Sequence, residues 1–407
     1  MNPIRKMYCR TFQGAFHIAL PFLPYRQPKM IDSITAIPSI LMKKHKERVM
    51  IVTDEGIRKL GLVHSLEEAL QKNGIFYVIY DKTVPNPTTL NVEEARQLYK
   101  ENRCKALIGF GGGSSIDCAK AVGARIARPR KSPGQMAGIL RVRKKLPLFI
   151  AIPTTAGTGS ETTLAAVITD AQTRHKYAIN DFPLIPGYAV LDPQITVSLP
   201  PFITATTGMD ALTHAVEAYI GNSTTRATRA YALRAVKLIF QNLDRAYQKG
   251  SDLRARKNML IASYYAGCAF TQSYVGYVHA VAHSIGGQYD VPHGLANAIL
   301  LPHVLKAYGK RIDRKLHRLA VAAGVASEDT PAETAAKDFI HAIEEMKKRF
   351  HIGDTVKEIR EEDIPKLARY ADKEANPLYP VPVLMDSNEL KLFYYILLED
   401  QSSRQTV

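Results

Sequence analysis

The sequence predicts an α/β first half followed by an all-helical second half. Short apolar runs alternate with stretches of helical spacing up to about residue 200, and strand-like runs become rare beyond the Leu199-Pro200-Pro201 stretch. The chain has 407 residues, 46% of them apolar, which is enough for two domains of ordinary size. The expected division is 1–200 for the α/β domain and 201–407 for the helical one.

The elements follow in order. Residues 48–54 (RVMIVTD) read as a buried strand, 55–73 as a helix stopped by Gly74, and 75–80 (IFYVIY) as a second strand. Residues 92–102 read as a polar-faced helix. Residues 106–110 (ALIGF) form a third strand running into Gly111-Gly112-Gly113-Ser114, with a helix over 115–127 and a strand over 148–152 (LFIAI). Such alternation points to a parallel sheet with helices on both faces. In the second half, 211–219, 227–243, 255–270 and 334–350 carry helical spacing. There is no internal repeat and no low-complexity tract.

Bulk composition narrows the function. Lys and Arg number 54 against 38 Asp and Glu, a formal net charge of +16, which suits nucleic acid, an anionic membrane or an anionic small molecule equally. No aromatic-interleaved basic motif or zinc finger supports a nucleic-acid partner. The four cysteines, Cys9, Cys104, Cys118 and Cys268, form no CxxC pair, which favours a reducing compartment. No run of 18 apolar residues predicts a membrane span. The apolar stretch 16–23 follows Arg5, Lys6 and Arg10, but Pro21 and Pro24 interrupt it and no A-x-A-like site follows, so a cytoplasmic location is expected.

Two loops carry ligand chemistry. Gly111-Gly112-Gly113-Ser114 joins a strand to a helix, where bare backbone and a helix N-terminus suit a phosphate; a tight turn is the plainer alternative. GxGxxG is absent, because position 116 is Ile, and so is a Walker A motif. Ser114 and Asp117 have the spacing of a capping box. Asp54 closes the first strand, where a carboxylate accepts from a ribose diol and repels a 2′-phosphate, or simply caps the next helix. The second loop, Pro153-Thr154-Thr155-Ala156-Gly157-Thr158-Gly159-Ser160, is rich in hydroxyls and small residues and again follows an apolar strand. Open parallel sheets bind ligands at their carboxyl ends.

Histidines concentrate late in the chain. His279 and His283 are four apart on a helical pattern, and so are Asp210 and His214. Two such pairs on apolar helices suit a borderline divalent ion such as zinc or ferrous iron, because burial without a partner is costly. His303, in Leu-Pro-His-Val, reads as structural, near a helix start.

At these residues the chain resembles the iron-containing (group III) alcohol dehydrogenases. The matching stretches are GGGSSIDCAK (111–120), PTTAGTGSE (153–161), TGMDALTHAVEAY (207–219) and the histidine segment 279–294, with Val84-Pro85-Asn86-Pro87 ahead of them. The resemblance runs from about residue 25. It implies a dehydroquinate synthase-like fold, with an α/β nucleotide-binding domain, a helical metal-binding domain and the active site in the cleft between them. The implied metal ligands are Asp210, His214, His279 and His293, with His283 as a proton relay. The implied cofactor contacts are Asp54, Asn86, Gly112, Gly113, Ser114, Asp117, Thr154, Thr155, Thr158 and Lys176. The implied activity is hydride transfer between NAD(H), preferred over NADP(H) because of Asp54, and a primary alcohol, diol or aldehyde. Iron(II) is the expected ion, with zinc as the alternative, and a homodimer or higher homo-oligomer the expected assembly. A glycerol dehydrogenase-like or dehydroquinate-synthase-like activity is the nearest alternative; a basic nucleic-acid binder and a non-catalytic scaffold are the distant ones. Nine basic residues and no acidic one lie between Cys118 and Ser160. They read as a field that attracts the dinucleotide, or as a solvated helix and connecting loop.

Overall fold

The computed structural model describes residues 1–398. The strands are β1 (Lys29–Ile31), β2 (Arg48–Val52), β3 (Phe76–Tyr80), β4 (Ala106–Gly111), β5 (Gly138–Ile139), β6 (Leu148–Pro153), β7 (Ala165–Thr169), β8 (Lys176–Asn180) and β9 (Tyr188–Val190). The helices of the first half are α1 (Pro3–Ala19), α2 (Ile37–Lys43), α3 (Glu55–Lys59), α4 (His64–Lys72), α5 (Thr89–Glu101) and α6 (Gly113–Ala127). The second half contributes α7 (Pro201–Ile220), α8 (Arg226–Gln248), α9 (Leu253–Ser273), α10 (Tyr277–Tyr289), α11 (His293–Tyr308), α12 (Asp313–Ala323), α13 (Ala332–Arg349), α14 (Ile364–Ala375) and α15 (Ser387–Leu398). Among the described residues, no strand lies beyond Val190, and no helix is long and apolar enough to cross a membrane.

The chain folds as two compact units. One is Pro24–Ser198; the other joins Met1–Leu23 to the chain from Leu199 onward. The reading of 1–200 as one domain therefore needs correction at its start. Helix α1 packs with the helical unit because its polar face finds partners there. Arg5 donates to both carboxylate oxygens of Asp372, at 2.8 and 2.7 Å. Gln13, only 4% exposed, donates to the carbonyls of Tyr379 (2.7 Å) and Pro377 (3.2 Å).

The α/β unit is built on a six-stranded parallel sheet in the order β1-β9-β6-β4-β2-β3. Its central strands read as continuous apolar runs because both faces are covered. Side chains alternate between two cores: Met50, Val52 and Leu107 join one, while Val49, Ile51, Ala106, Ile108 and Phe110 join the other. Leu66 and Leu70 of α4 lie on the second core, whereas Val92 and Ala95 of α5 and Ile116, Ala119 and Val122 of α6 lie on the first. The chain thus leaves β2 toward one face and β4 toward the other. The carboxyl ends of these neighbouring strands form a switch point, where open α/β sheets bind ligands.

Three local expectations change. The helix read over 55–73 is two helices, α3 and α4, separated by a turn around Gly61. A second, three-stranded sheet, β5-β8-β7, includes an antiparallel pair that the sequence reading did not anticipate. His303 lies well inside α11, behind Pro302, rather than near a helix start.

Candidate active site

Helix α7 is buried along most of its length, including Asp210, His214 and Glu217. These polar residues are spaced i, i+4 and i+7, so they share one face. Helix α10 contributes His279 and His283, and α11 opens on His293 with Asn297 one turn later. Asp210, His214, His279 and His293 each offer one ligand atom, and the four atoms lie within 4.8 Å of one another. Asp210 is at the centre: its Oδ1 is 3.5 Å from His293 Nε2 and 3.9 Å from His279 Nε2, and its Oδ2 is 4.0 Å from His214 Nδ1. Four donors about 2.1 Å from a common ion lie roughly 3.4 Å apart, so this set is slightly open.

The donors suit a cation better than they suit one another. His279 is 2% exposed, and its Nε2 has no hydrogen-bond partner among the described residues. Burial, and then the neighbouring His214, His293 and His283, push its pKa well below the ordinary histidine value. It is therefore neutral with a lone pair at the site, as metal ligation requires. One carboxylate with three imidazoles is a donor set for ferrous iron or zinc.

The sequence reading missed the residues that hold these ligands. Glu217, 3% exposed, lies 2.6 Å from His279 Nδ1 and accepts the backbone N–H groups of Gly276 and Val278, each at 2.8 Å. Burial pushes its carboxyl up to about 7, and the backbone donors pull against that rise. Asn297 donates to Asp210 Oδ1 at 2.7 Å and lies 3.0 Å from His293 Nε2. The signal was present: Glu217 is one turn past His214, and Asn297 one turn past His293, each on an apolar helix. We expect Glu217→Gln to weaken metal binding about 10- to 100-fold, because its amide would turn a donor toward a backbone N–H and loosen the His279 ring. Competition with a chromogenic chelator measures this; unchanged affinity would count against the role.

His283 is not among the four clustered donors. Its ring stacks on His293 with centroids 5.0 Å apart, and its Nδ1 is 2.6 Å from Glu374. Glu374 also accepts from the Tyr379 hydroxyl at 2.7 Å. Burial raises the Glu374 carboxyl, but the charge and hydrogen bond of His283 and the bond from Tyr379 outweigh it and hold the group below its ordinary value.

In the α/β unit, Asp54, the glycine loop and the threonine loop lie at the carboxyl ends of the adjacent strands β2, β4 and β6. Thr154 N–H donates to Gly111 O at 3.0 Å, and Ser160 Oγ donates to Asp117 Oδ1 at 3.2 Å, so the two loops form one surface. Asp54 Oδ1 accepts Ile57 N–H (2.9 Å), capping α3, while Oδ2 accepts the Ser115 hydroxyl (2.9 Å). Gly111 has φ +151, and a Cβ there would meet Ser115 Oγ at 2.6 Å, so the loop needs glycine to keep its bare backbone. Lys176 Nζ donates to Asn86 Oδ1 at 2.6 Å, so these candidates meet as well. Gly112, Gly113, Ser114, Thr155 and Thr158 are all partly exposed along the loops, whereas Thr154 is buried.

The capping-box reading of Ser114 and Asp117 is wrong. Helix α6 starts at Gly113 after a Gly112 cap with no side-chain bond, and Asp117 instead accepts Val167 N–H at 3.0 Å. Two of the basic residues read as solvated are not. Lys120 is fully buried and donates to Thr163 O, Thr163 Oγ1 and Ala165 O at 2.7–2.9 Å, tying α6 to the segment after the threonine loop. Arg125, 7% exposed, pairs with Glu93.

Comparison with known proteins extends this geometry. Residues 31–193 match the family described as iron-containing alcohol dehydrogenase, and residues 204–393 match the C-terminal part of the Fe-containing alcohol dehydrogenase family. Alcohol dehydrogenase 4 of Saccharomyces cerevisiae is 40% identical over 340 residues, 82% of this chain and 87% of that protein. The 1,3-propanediol dehydrogenase of Citrobacter freundii is 38% identical over 335 residues, 81% of this chain and 86% of that protein. A crystal structure of a 1,3-propanediol oxidoreductase superposes with a TM-score of 0.87 at 35% identity, covering 91% of this chain and 98% of that one. A sulfoacetaldehyde reductase from Bifidobacterium kashiwanohense, solved in complex with NAD+, gives a TM-score of 0.82 at 27% identity, covering 92% of this chain and 98% of that one.

Proposed function

From the premise that the chain belongs to the iron-containing alcohol dehydrogenase family, we propose that it oxidises small primary alcohols or diols, and reduces the matching aldehydes, with NAD(H). The clustering of Asp210, His214, His279 and His293 carries this reading. These four residues hold the divalent ion, iron(II) in preference to zinc. Asp54, Asn86, the glycine and threonine loops, Asp117 and Lys176 hold the dinucleotide. When bound, the ion supplies Lewis acidity to the substrate oxygen, and the nicotinamide accepts or returns the hydride.

The chain's own residues do the rest. Asp210 supplies the negative charge that offsets a dication, and Asn297 fixes its carboxylate. Glu217 fixes the His279 ring. Glu374 engages His283 Nδ1, so the relay takes and returns the substrate proton at Nε2, and the Glu374 carboxylate stabilises the imidazolium that forms. Asp54 selects NAD by repelling a 2′-phosphate. The relatives named for alcohols and for 1,3-propanediol support the substrate class. Four buried cysteines, scattered along the chain with no CxxC pair, support a reducing, cytoplasmic setting. Assembly as a homodimer or larger homo-oligomer is part of the same reading.

The test is a panel of ethanol, 1,3-propanediol and their aldehydes with NAD(H) and NADP(H), followed at 340 nm on protein reloaded with iron(II) or zinc. No nicotinamide turnover with any of them would end this reading. Asp54→Ser is expected to improve NADP use relative to NAD by about tenfold, equivalent to ~1.4 kcal/mol of like-charge repulsion. An unchanged ratio would reduce Asp54 to a helix cap.

A further inference from the structure

Three exposed residues of the basic segment, Arg143, Lys144 and Lys145, line a cavity that the proposed chemistry does not use. The cavity, about 360 Å³ in volume, is lined by Arg26, Arg143, Lys144 and Lys145 over an apolar floor that includes Phe149 and Phe182. It opens at the amino ends of β6 and β9, beside Leu148 and Gly187. The glycine and threonine loops lie at the carboxyl ends of β4 and β6, roughly 17 Å of strand away.

Four features distinguish the cavity from a solvated lysine patch. No acidic residue lines it, and among the described residues none of its four cations has a carboxylate within ion-pair distance. Arg26 is exposed, and its guanidinium donates to the Ile185 carbonyl with no carboxylate beside it. The turn presenting Arg143 to Lys145 is pinned from beneath: Asp181, 2% exposed, accepts the backbone N–H groups of Val142 and Arg143, each at 2.8 Å. Leu140 and Arg143 hold left-handed φ values of +56 and +48, a strain that persists only where surrounding contacts enforce it. Arg143 Nε adds a bond to Leu140 O at 2.6 Å. Like charges gathered on a rigid frame repel one another until an anion joins them.

We propose that this cavity is a second ligand site in the α/β unit, one that binds a small phosphorylated anion, with the phosphates on Arg26, Arg143, Lys144 and Lys145 and an apolar or aromatic body against Phe182. Two or more negative charges match four cations better than a single carboxylate does, and the volume lies in the range of ordinary small-molecule pockets.

The probe is inorganic pyrophosphate, titrated calorimetrically into the full-length protein. The wild type is expected to bind it. Lys144→Ala/Lys145→Ala should weaken binding at least tenfold while leaving the melting temperature and NADH-linked turnover within experimental error. Ser114→Trp, which crowds the glycine loop, should leave pyrophosphate affinity within twofold. Absence of binding, equal binding by the double lysine variant, or loss of binding in Ser114→Trp overturns the proposal. The last outcome would assign the anion to the dinucleotide loop. Repeating the titration with ATP tests the floor: a gain in affinity that Phe182→Ala abolishes supports the apolar body, and an equal gain in Phe182→Ala removes that part.

Discussion

Asp210→Ala is expected to remove the metal and the activity together. Asp210 is the only carboxylate among the four clustered donors, and its Oδ1 and Oδ2 face all three histidine rings at 3.5–4.0 Å. Without it a dication would face three neutral imidazoles, and the Asn297 amide, now 2.7 Å from a carboxylate oxygen, would lose its acceptor. Lewis-acid stabilisation is worth several kcal/mol, so kcat/KM should fall on the order of 10³-fold or more. Metal analysis after dialysis, run beside the 340 nm assay, checks both halves. Asp210→Asn separates charge from shape: it fills the same space, so a comparable loss would place the effect on the charge. Full activity of the wild type after exhaustive chelation would defeat the metal assignment itself.

Gly294→Ala should have the second-largest effect, although glycine carries no chemistry. A Cβ at this position would lie 2.5 Å from Thr206 O, 3.0 Å from Thr206 C and 3.4 Å from Asp210 Cβ. The first two are backbone atoms of α7, so no rotamer change relieves the clash. Helix α11 must retreat from α7, carrying His293 away from Asp210. Overpacking of this kind costs about 1–3 kcal/mol, and metal affinity should fall roughly 10- to 100-fold. Melting curves and chelator competition measure the two losses. Gly287→Ala, one helix earlier and in open space, is the control and should cost nothing. If both variants behave alike, the close approach does not hold the ligands together.

Four of the nine strands, β2, β3, β4 and β6, were legible in the sequence because each is a short apolar run bounded by turn residues, and 48–52, 106–111 and 148–153 are largely buried on both faces; β1 and β9, three residues each, were too short to read. The clustering of Asp210, His214, His279 and His293 was legible because helical spacing aligns Asp210 with His214, and because the family resemblance added His293. The Glu217, Asn297 and Glu374 contacts were not, since each depends on which turn of another helix faces it. A buried acid on an apolar helix signals a partner without naming it. Lys120 and Arg125 were misjudged for the related reason that charge alone does not tell a solvated cation from one that closes a structure. The β7–β8 pair was missed because β7 (AAVIT) is an apolar run too short to tell from a helix segment, and β8 (KYAIN) mixes polar and apolar residues without a clear period.

The polar face of α1 has a consequence for synthesis. The helical unit is discontinuous: Arg5 precedes its partner Asp372 by 367 residues, and the whole of Pro24–Ser198 lies between its two parts. At roughly 5–20 residues per second, α1 leaves the ribosome about 20–70 s before the segment that receives it. Throughout that interval it carries Ile4, Met7, Tyr8 and Ile18, residues that stay 58–76% exposed even in the finished fold. The α/β unit can finish folding during translation, whereas the unit that holds the ligand quartet must wait for its last helices. On the proposed assignment, the dinucleotide half is complete before the unit that carries Asp210, His214, His279 and His293, so ion loading would be a late event in the life of the polypeptide.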